Sequence, residues 1–132
     1  MNTCVETAID KLNNISKELN DIFVEREKVI ENSIRALITG QAVLLIGPPG
    51  TAKSALTNAL CNRIENGRYF SWLLNRTSDP AEILGPFSIK EMENDKFMRV
   101  TKGKLPEAEI AFLDEVFKCN EPTLNILLPI YK

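Results

Sequence analysis

The sequence predicts an α/β fold with buried parallel strands, on the basis of three apolar runs. Residues 43–46 and 110–113 are each four consecutive apolar residues, the length and composition of a strand that is buried on both faces. Residues 69–74 are rich in aromatic side chains and predict a further strand between them in the chain. A glycine-containing turn and a helix-compatible segment follow the first run, and two carboxylates follow the last one.

Helices are predicted around these strands by periodicity and by end signals. Apolar residues three or four positions apart predict an amphipathic helix over 5–23 and a second helix over 25–39, which ends at Gly40. Further helices are predicted over 54–65, 80–84 and 121–128.

The segment between the second and third strands is predicted to hold a capped helix and a β-hairpin. Ser78 or Asp79 caps the helix, and Pro80 occupies its first position. Two strand-like runs flank a polar turn at 93–96, which predicts a hairpin over 87–100. A short helical turn is then expected over 105–108.

Composition excludes several kinds of site. The sequence has no histidine, which removes histidine general bases, histidine-activated nucleophiles and histidine metal ligands. Its three cysteines, at positions 4, 61 and 119, are widely spaced, which argues against disulfide or zinc frameworks. The net charge of −2 argues against non-specific binding to nucleic acid or to anionic membranes. The sequence has neither a membrane-spanning apolar run nor a secretory pattern, so a cytoplasmic location is expected.

Residues 47–55 predict a phosphate-binding loop. Gly47 and Gly50 let the backbone curl so that its N–H groups point at an anion, and the following helix directs its positive N-terminal end to the same place. Lys53 supplies a charge for the β- and γ-phosphates, and the hydroxyl of Ser54 supplies a Mg²⁺ ligand. The alternative is a Pro/Gly-rich turn without a ligand. The predicted loop comprises Gly47, Pro48, Pro49, Gly50, Thr51, Ala52, Lys53, Ser54 and Ala55.

One position departs from the full phosphate-loop pattern, which has glycine directly before the Lys-Ser pair. This chain has Ala52 at that position. Because a helical conformation tolerates alanine, we expect Ala52 to belong already to the following helix.

Asp114 and Glu115 follow the last strand directly and predict the second half of a nucleotide site. Ligands gather at the carboxyl ends of parallel strands. Asp114 is expected to hold Mg²⁺ opposite Ser54, and Glu115 to polarise the water that attacks the γ-phosphate. An apolar strand that ends in acidic residues is common by itself, so this prediction depends on the phosphate loop that precedes it.

Three motifs together resemble those of MoxR-family AAA+ ATPases, and among these the RavA-like branch. They are the phosphate loop over 46–54, the segment 84–89 and the Walker B strand with its flanks over 104–118, in this order. Ala52 is similar to the residue that RavA-like loops carry. The resemblance extends over about residues 20–129.

The resemblance implies a P-loop NTPase core with three α-β-α layers, a parallel sheet and a β-hairpin insert before the Walker B strand. It implies ATP and Mg²⁺ as cofactors. By position, Lys53 and Ser54 bind phosphate and Mg²⁺, Asp114 binds Mg²⁺, and Glu115 activates water, so that Lys53 and Glu115 form the catalytic pair. We accordingly divide the chain into an N-terminal amphipathic helix, residues 1–24, and a partial MoxR-type nucleotide-binding domain, residues 25–132.

The resemblance also implies a function. Family members are ATP-driven, chaperone-like remodellers, usually hexameric, that work beside a partner carrying a von Willebrand factor A domain. A complete core continues to a sensor residue, an arginine finger and a helical lid, and we expect this chain to lack them. The alternative function is therefore a truncated nucleotide-binding or subunit-association module with little or no hydrolysis. A third hypothesis is a small-molecule kinase or a GTPase. The sequence has no Asn-Lys-x-Asp motif for guanine recognition, which disfavours the GTPase.

Overall fold

The computed structural model describes residues 2–127 and residue 129. It divides into two compact units, Met1–Glu65 and Asn66–Lys132. Helices make up the regular structure described in the first unit, and the second combines helices with a small parallel sheet. This mixture is compatible with the predicted α/β class. The predicted division of the chain at residue 24 remains a prediction.

Three helices form the first unit: α1 (Asn2–Ile22), α2 (Glu27–Thr39) and α3 (Lys53–Cys61). Gly40 ends α2 as predicted, since it adopts the left-handed conformation with φ 65° and Gln41 then donates its N–H to the Ala36 carbonyl at 2.9 Å. α3 ends earlier than the predicted residue 65. The apolar faces of the three helices meet in one core, formed by Leu19, Ile30, Ile34, Leu56 and Leu60.

The predicted strand over 43–46 is wrong. This segment has no regular secondary structure, and Val43, Leu44 and Ile46 are 45%, 58% and 80% exposed. A strand exists only where a neighbour completes its ladder of hydrogen bonds, and within the described residues only two strands pair with each other. Apolar composition therefore favoured a strand here but supplied no partner for it.

The second unit is built on the parallel pair β1 (Tyr69–Leu73) and β2 (Ile110–Asp114), where both were predicted. In their register Leu73 lies opposite Asp114, and Leu74 continues the pairing by donating its N–H to the Asp114 carbonyl at 3.0 Å. The carboxyl ends of the two strands therefore lie side by side. A separate apolar core packs here, formed by Phe70, Leu74, Ile83, Leu105 and Leu127.

A capping box starts the short helix α4 (Pro80–Leu84). Asp79 accepts the Ala81 N–H at 2.8 Å, and Glu82 accepts the Asp79 N–H at 3.3 Å, so Asp79 rather than Ser78 is the cap. Ser78 is instead buried, with 2% of its surface exposed.

The predicted hairpin over 87–100 is reduced to a single antiparallel bridge between Phe87 and Arg99. Two backbone bonds flank it, from Ser88 N–H to the Met98 carbonyl and from Val100 N–H to the Pro86 carbonyl, both 2.8 Å. The predicted first strand ends after Ser88 because that side chain caps a helical turn, α5 (Ile89–Met92). The segment is a helix-containing loop with paired ends.

The remaining elements agree with the sequence. The helical turn expected over 105–108 is a 3₁₀ turn, Leu105–Glu107. The last predicted helix is α6 (Glu121–Leu127), and its predicted final residue, 128, lies outside the described residues. No helix within the described residues is long and apolar enough to cross a membrane.

Candidate nucleotide site

The loop before α3 curls around the side chain of Lys53. The Lys53 ammonium donates to the carbonyls of Gly47 at 3.0 Å and Pro48 at 2.9 Å, and lies 3.3 Å from the Thr51 hydroxyl. Thr51 in turn donates its hydroxyl to the Pro48 carbonyl at 2.8 Å. The segment that was predicted to bind phosphate therefore forms a turn that is closed by its own lysine, and its phosphate role remains a prediction.

The charge of this loop is uncompensated. The oxygens around Lys53 are neutral, and within the described part of the chain no carboxylate forms an ion pair with its ammonium. α3 begins at Lys53, and its N-cap residue, Ala52, makes no side-chain hydrogen bond to the amides of the first turn. A lysine charge and the positive end of a helix thus coincide, which is the donor set that a phosphate group requires.

Ala52 does not belong to the helix, contrary to the prediction. It adopts a left-handed conformation with φ 59° and ψ 22°, and its carbonyl accepts the Leu56 N–H at 2.8 Å as the residue that precedes α3. Glycine adopts this conformation without strain, whereas another L residue costs about 1–2 kcal/mol. The loop pattern asks for glycine here for this reason, and the chain forms the turn at an energetic cost.

Ser54 and Ala55 follow Lys53 in the first turn of α3, where Ser54 is half-buried and Ala55 is exposed. The structure therefore places the whole predicted set, 47–55, in one continuous loop and helix start.

Asp114 and Glu115 lie at the carboxyl end of β2, as predicted. Asp114 is half-buried, and its Oδ1 accepts the N–H of Glu115 at 2.8 Å. Glu115 is exposed and left-handed, with φ 53°. The chain turns sharply at Glu115, directly after the last residue of β2. The two carboxylates therefore lie on consecutive residues at the carboxyl end of this strand.

The sequence reasoning missed the partner of Glu115. A 3₁₀ turn, Val116–Lys118, follows directly, and the Lys118 ammonium lies 2.7 Å from the Glu115 carboxylate. The three-residue spacing of Glu115 and Lys118 is a visible signal, because side chains at this spacing face each other in a 3₁₀ turn.

The sequence reasoning also missed a polar network that joins the loops after β1 and β2. The amide of Asn120 donates to the carbonyls of Arg76 at 3.1 Å and Ser78 at 3.2 Å. The hydroxyl of Thr123, which is 1% exposed, donates to the Ser78 carbonyl at 3.0 Å, and the Ser78 hydroxyl accepts the Asn75 N–H at 2.9 Å. Buried polar groups that are satisfied in this way fix the backbone around them.

The oxygen donors that were predicted for Mg²⁺ fit a hard cation, since they are a hydroxyl and a carboxylate. Among the residues that the structure describes, no group of three or more Asp, Glu, His or Cys side chains gathers to hold a metal. The two predicted Mg²⁺ ligands lie in different units, Ser54 in the first and Asp114 in the second, and their roles remain predictions.

Comparison with known proteins identifies the family. Residues 10–132 match the family model described as the MoxR domain in the MoxR-vWA-beta-propeller ternary systems. The chain belongs to the MoxR family. This confirms the MoxR resemblance and the AAA+ ATPase context that it carries, whereas the RavA-like branch remains a prediction.

Relatives of this MoxR chain include two archaeal proteins and one viral protein. It is 46% identical over 121 residues to uncharacterized protein MJ0079 and 46% identical over 120 residues to uncharacterized protein MJ0812, both from Methanocaldococcus jannaschii. It is 30% identical over 130 residues to structural protein ORF618 of Acidianus two-tailed virus. These alignments cover 90% or 91% of this chain, but only 32%, 32% and 21% of the three relatives. The chain thus spans about a third or less of their length.

Proposed function

We propose that the chain binds ATP with Mg²⁺ and hydrolyses it, as the AAA+ module of a MoxR-type remodelling ATPase. The observation that carries the proposal is the closed turn at 47–52. Among the described residues, the hydrogen bonds of the Lys53 ammonium go to neutral oxygens, at the start of a helix whose N-cap residue, Ala52, makes no side-chain bond. Family membership supports the same function.

Each residue has one task in this proposal. Lys53 and the first-turn amides of α3 bind the β- and γ-phosphates. Ser54 and Asp114 hold Mg²⁺, which neutralises phosphate charge when it is bound. Glu115 accepts a hydrogen bond from the attacking water and orients it toward the γ-phosphate.

The finer assignments belong to this proposal as well. We propose that the protein belongs to the RavA-like branch, works as a hexameric ring and is located in the cytoplasm. The matching family model is named for systems that also contain a vWA component, which supports a von Willebrand factor A protein as the partner. Because the chain spans about a third of its archaeal relatives, these properties refer to the whole protein in which it works.

Thermal unfolding tests the phosphate loop. Mg-ATP at about a hundred times its Kd should add roughly 2.7 kcal/mol to the stability of the wild type, because it binds only the folded state. Lys53→Ala should lose this gain, whereas Lys28→Ala, which removes an exposed lysine of α2, should keep it. A gain that survives in Lys53→Ala would contradict the phosphate role of Lys53.

Turnover tests hydrolysis separately. Glu115→Gln should bind Mg-ATP like the wild type and lose hydrolysis, because the amide keeps the shape of the carboxylate but cannot take a proton from water. Binding without turnover in either protein would instead support the module that binds nucleotide with little or no hydrolysis. Equal, measurable turnover in both proteins would contradict the role of Glu115.

A further inference from the structure

The carboxylate of Glu115 is already engaged by a cation. Its Oε2 lies 2.7 Å from the Lys118 Nζ, and the Lys118 N–H donates to the Glu115 carbonyl at 2.8 Å. The backbone bond closes the turn, and the turn sets the two side chains face to face. The ion pair is therefore local and needs no residue outside this turn.

The backbone holds Glu115 in an unfavourable conformation. Its φ is 53°, which residues other than glycine avoid, and its N–H is tied to Oδ1 of Asp114 at 2.8 Å. Strain of this kind persists only where surrounding contacts enforce it, and it concentrates at functional sites. The contacts that Glu115 makes here are with Asp114 on one side and Lys118 on the other.

We infer that Lys118 is a positioning residue that restrains Glu115 until its ammonium moves away. The inference rests on the proposed function, in which Glu115 orients the attacking water. A Glu115 oxygen that accepts a hydrogen bond from the Lys118 ammonium does not accept one from the attacking water. The positive charge of Lys118 also offsets the negative charge of the carboxylate, which weakens its attraction for the proton of that water. When Lys118 moves away, the negative charge of Glu115 is no longer offset, and its oxygen can accept a hydrogen bond from the water.

The restraint is weak enough to open. The side chains of Lys118 and Glu115 are 65% and 41% exposed, and exposed ion pairs contribute little to stability. Lys118 also lines a groove of about 650 Å³ together with Arg76 and Phe117, so its ammonium has open space beside it. The strength of such pairs limits the gain in rate on release to about two- to five-fold.

Steady-state kinetics of the full chain tests the restraint. At saturating Mg-ATP, Lys118→Gln should raise kcat about two- to five-fold and leave KM unchanged, and Lys118→Arg should restore the wild-type value. Added NaCl should remove the difference between the wild type and Lys118→Gln, because salt screens an exposed pair. Lys102→Gln, which changes an exposed lysine of the same unit, should leave kcat unchanged. A kcat in Lys118→Gln equal to or below that of the wild type would overturn the inference.

A second readout does not depend on turnover. The NMR signal of the Lys118 ammonium in the nucleotide-free chain should shift in Glu115→Gln, whereas that of Lys102 should not. An unchanged Lys118 signal would show that the pair does not form in solution and would overturn the inference.

The two proposals fail in different ways. If Glu115→Gln loses turnover but kcat does not rise in Lys118→Gln, only the inference about Lys118 is overturned. If Glu115→Gln does not change turnover, or if no variant turns over ATP, the proposed role of Glu115 in hydrolysis and the inference about Lys118 are both overturned. This holds even if the NMR shift shows that the ion pair forms.

Discussion

The loop at 47–54 and the turn at 114–118 both follow an apolar run and both carry the charges of the candidate site, yet different contacts hold them in place. The turn leaves a strand that is hydrogen-bonded to its neighbour, and side chains of the adjacent loop are buried in a polar network. The loop follows a segment without regular structure and is closed by the bonds of Lys53 to its own carbonyls. Long-range strand pairing thus fixes the turn at 114–118, and local contacts fix the loop at 47–54.

Hydrogen exchange tests this difference most directly and has the largest expected effect. Amides of residues 43–46 should exchange close to the rate of an unfolded chain, because they belong to no ladder among the described residues. Amides in the centre of β1 and β2 should exchange slower by a factor on the order of 10³ or more. Mass spectrometry of the nucleotide-free chain measures both. Equal protection of 43–46 and β2 would show that the apolar run pairs in solution and would remove the contrast.

Gly85→Ala should cause the largest loss of stability in the second unit, about 2–4 kcal/mol. A Cβ at Gly85 would lie 2.0 Å from the Val100 carbonyl oxygen, and the residue has φ 94°. Gly103→Ala is the matched control, since Gly103 has φ 71° but nothing within 4 Å of the added atom, and should cost only about 1–2 kcal/mol. Urea unfolding followed by the fluorescence of Trp72, the single tryptophan, measures this unit. Equal losses in the two variants would mean that the contact with Val100 is not made.

Thr123→Val should cost about 1–2 kcal/mol, because it removes a buried hydroxyl donor to the Ser78 carbonyl without changing the shape of the side chain. Thr123→Ser keeps the donor and should lose less, about 0.8 kcal/mol, for the buried methyl group that it removes. The same fluorescence measurement reports on the pair. If serine and valine cost the same, the polar network does not hold the loop after β1.

Ala52→Gly has the smallest expected effect and the opposite sign, a gain of about 1 kcal/mol in the first unit, since glycine relieves the left-handed strain. Ala55→Gly, inside α3, should instead lose about 1 kcal/mol through helix propensity. Unfolding followed by circular dichroism of the helices separates the two. Destabilisation by both substitutions would place Ala52 in the helix, as the sequence suggested.

Sequence reasoning succeeded where a signal is local and repeated. The three- and four-residue spacing of apolar residues located α1 and α2, and Gly40 ended α2 because only a left-handed residue completes that cap. The turn before α3 and the acidic end of β2 were also located, since each pattern is contiguous in the chain, whereas the roles of their residues remain predictions.

Sequence reasoning failed where two structures compete for the same residues. Ser88 has both strand-like neighbours and a hydroxyl that caps a helix, and the helical turn α5 prevailed over the hairpin strand. Ala52 looked helical by propensity, yet the closure of the loop around Lys53 requires a left-handed residue at that position.

The sequence by itself determined the approximate positions of the helices other than α5 and of the two strands that pair. It also determined the order of a glycine-containing turn and a carboxylate pair, because each of these features depends on residues that are close in the chain. Only the tertiary structure decided that residues 43–46 lack a strand partner among the described residues, that Asp79 and not Ser78 caps α4, and that Lys118 holds Glu115. Ladder pairing, burial and ion pairing depend on which groups meet in space, and the apolar or charged character of a residue does not specify its partner.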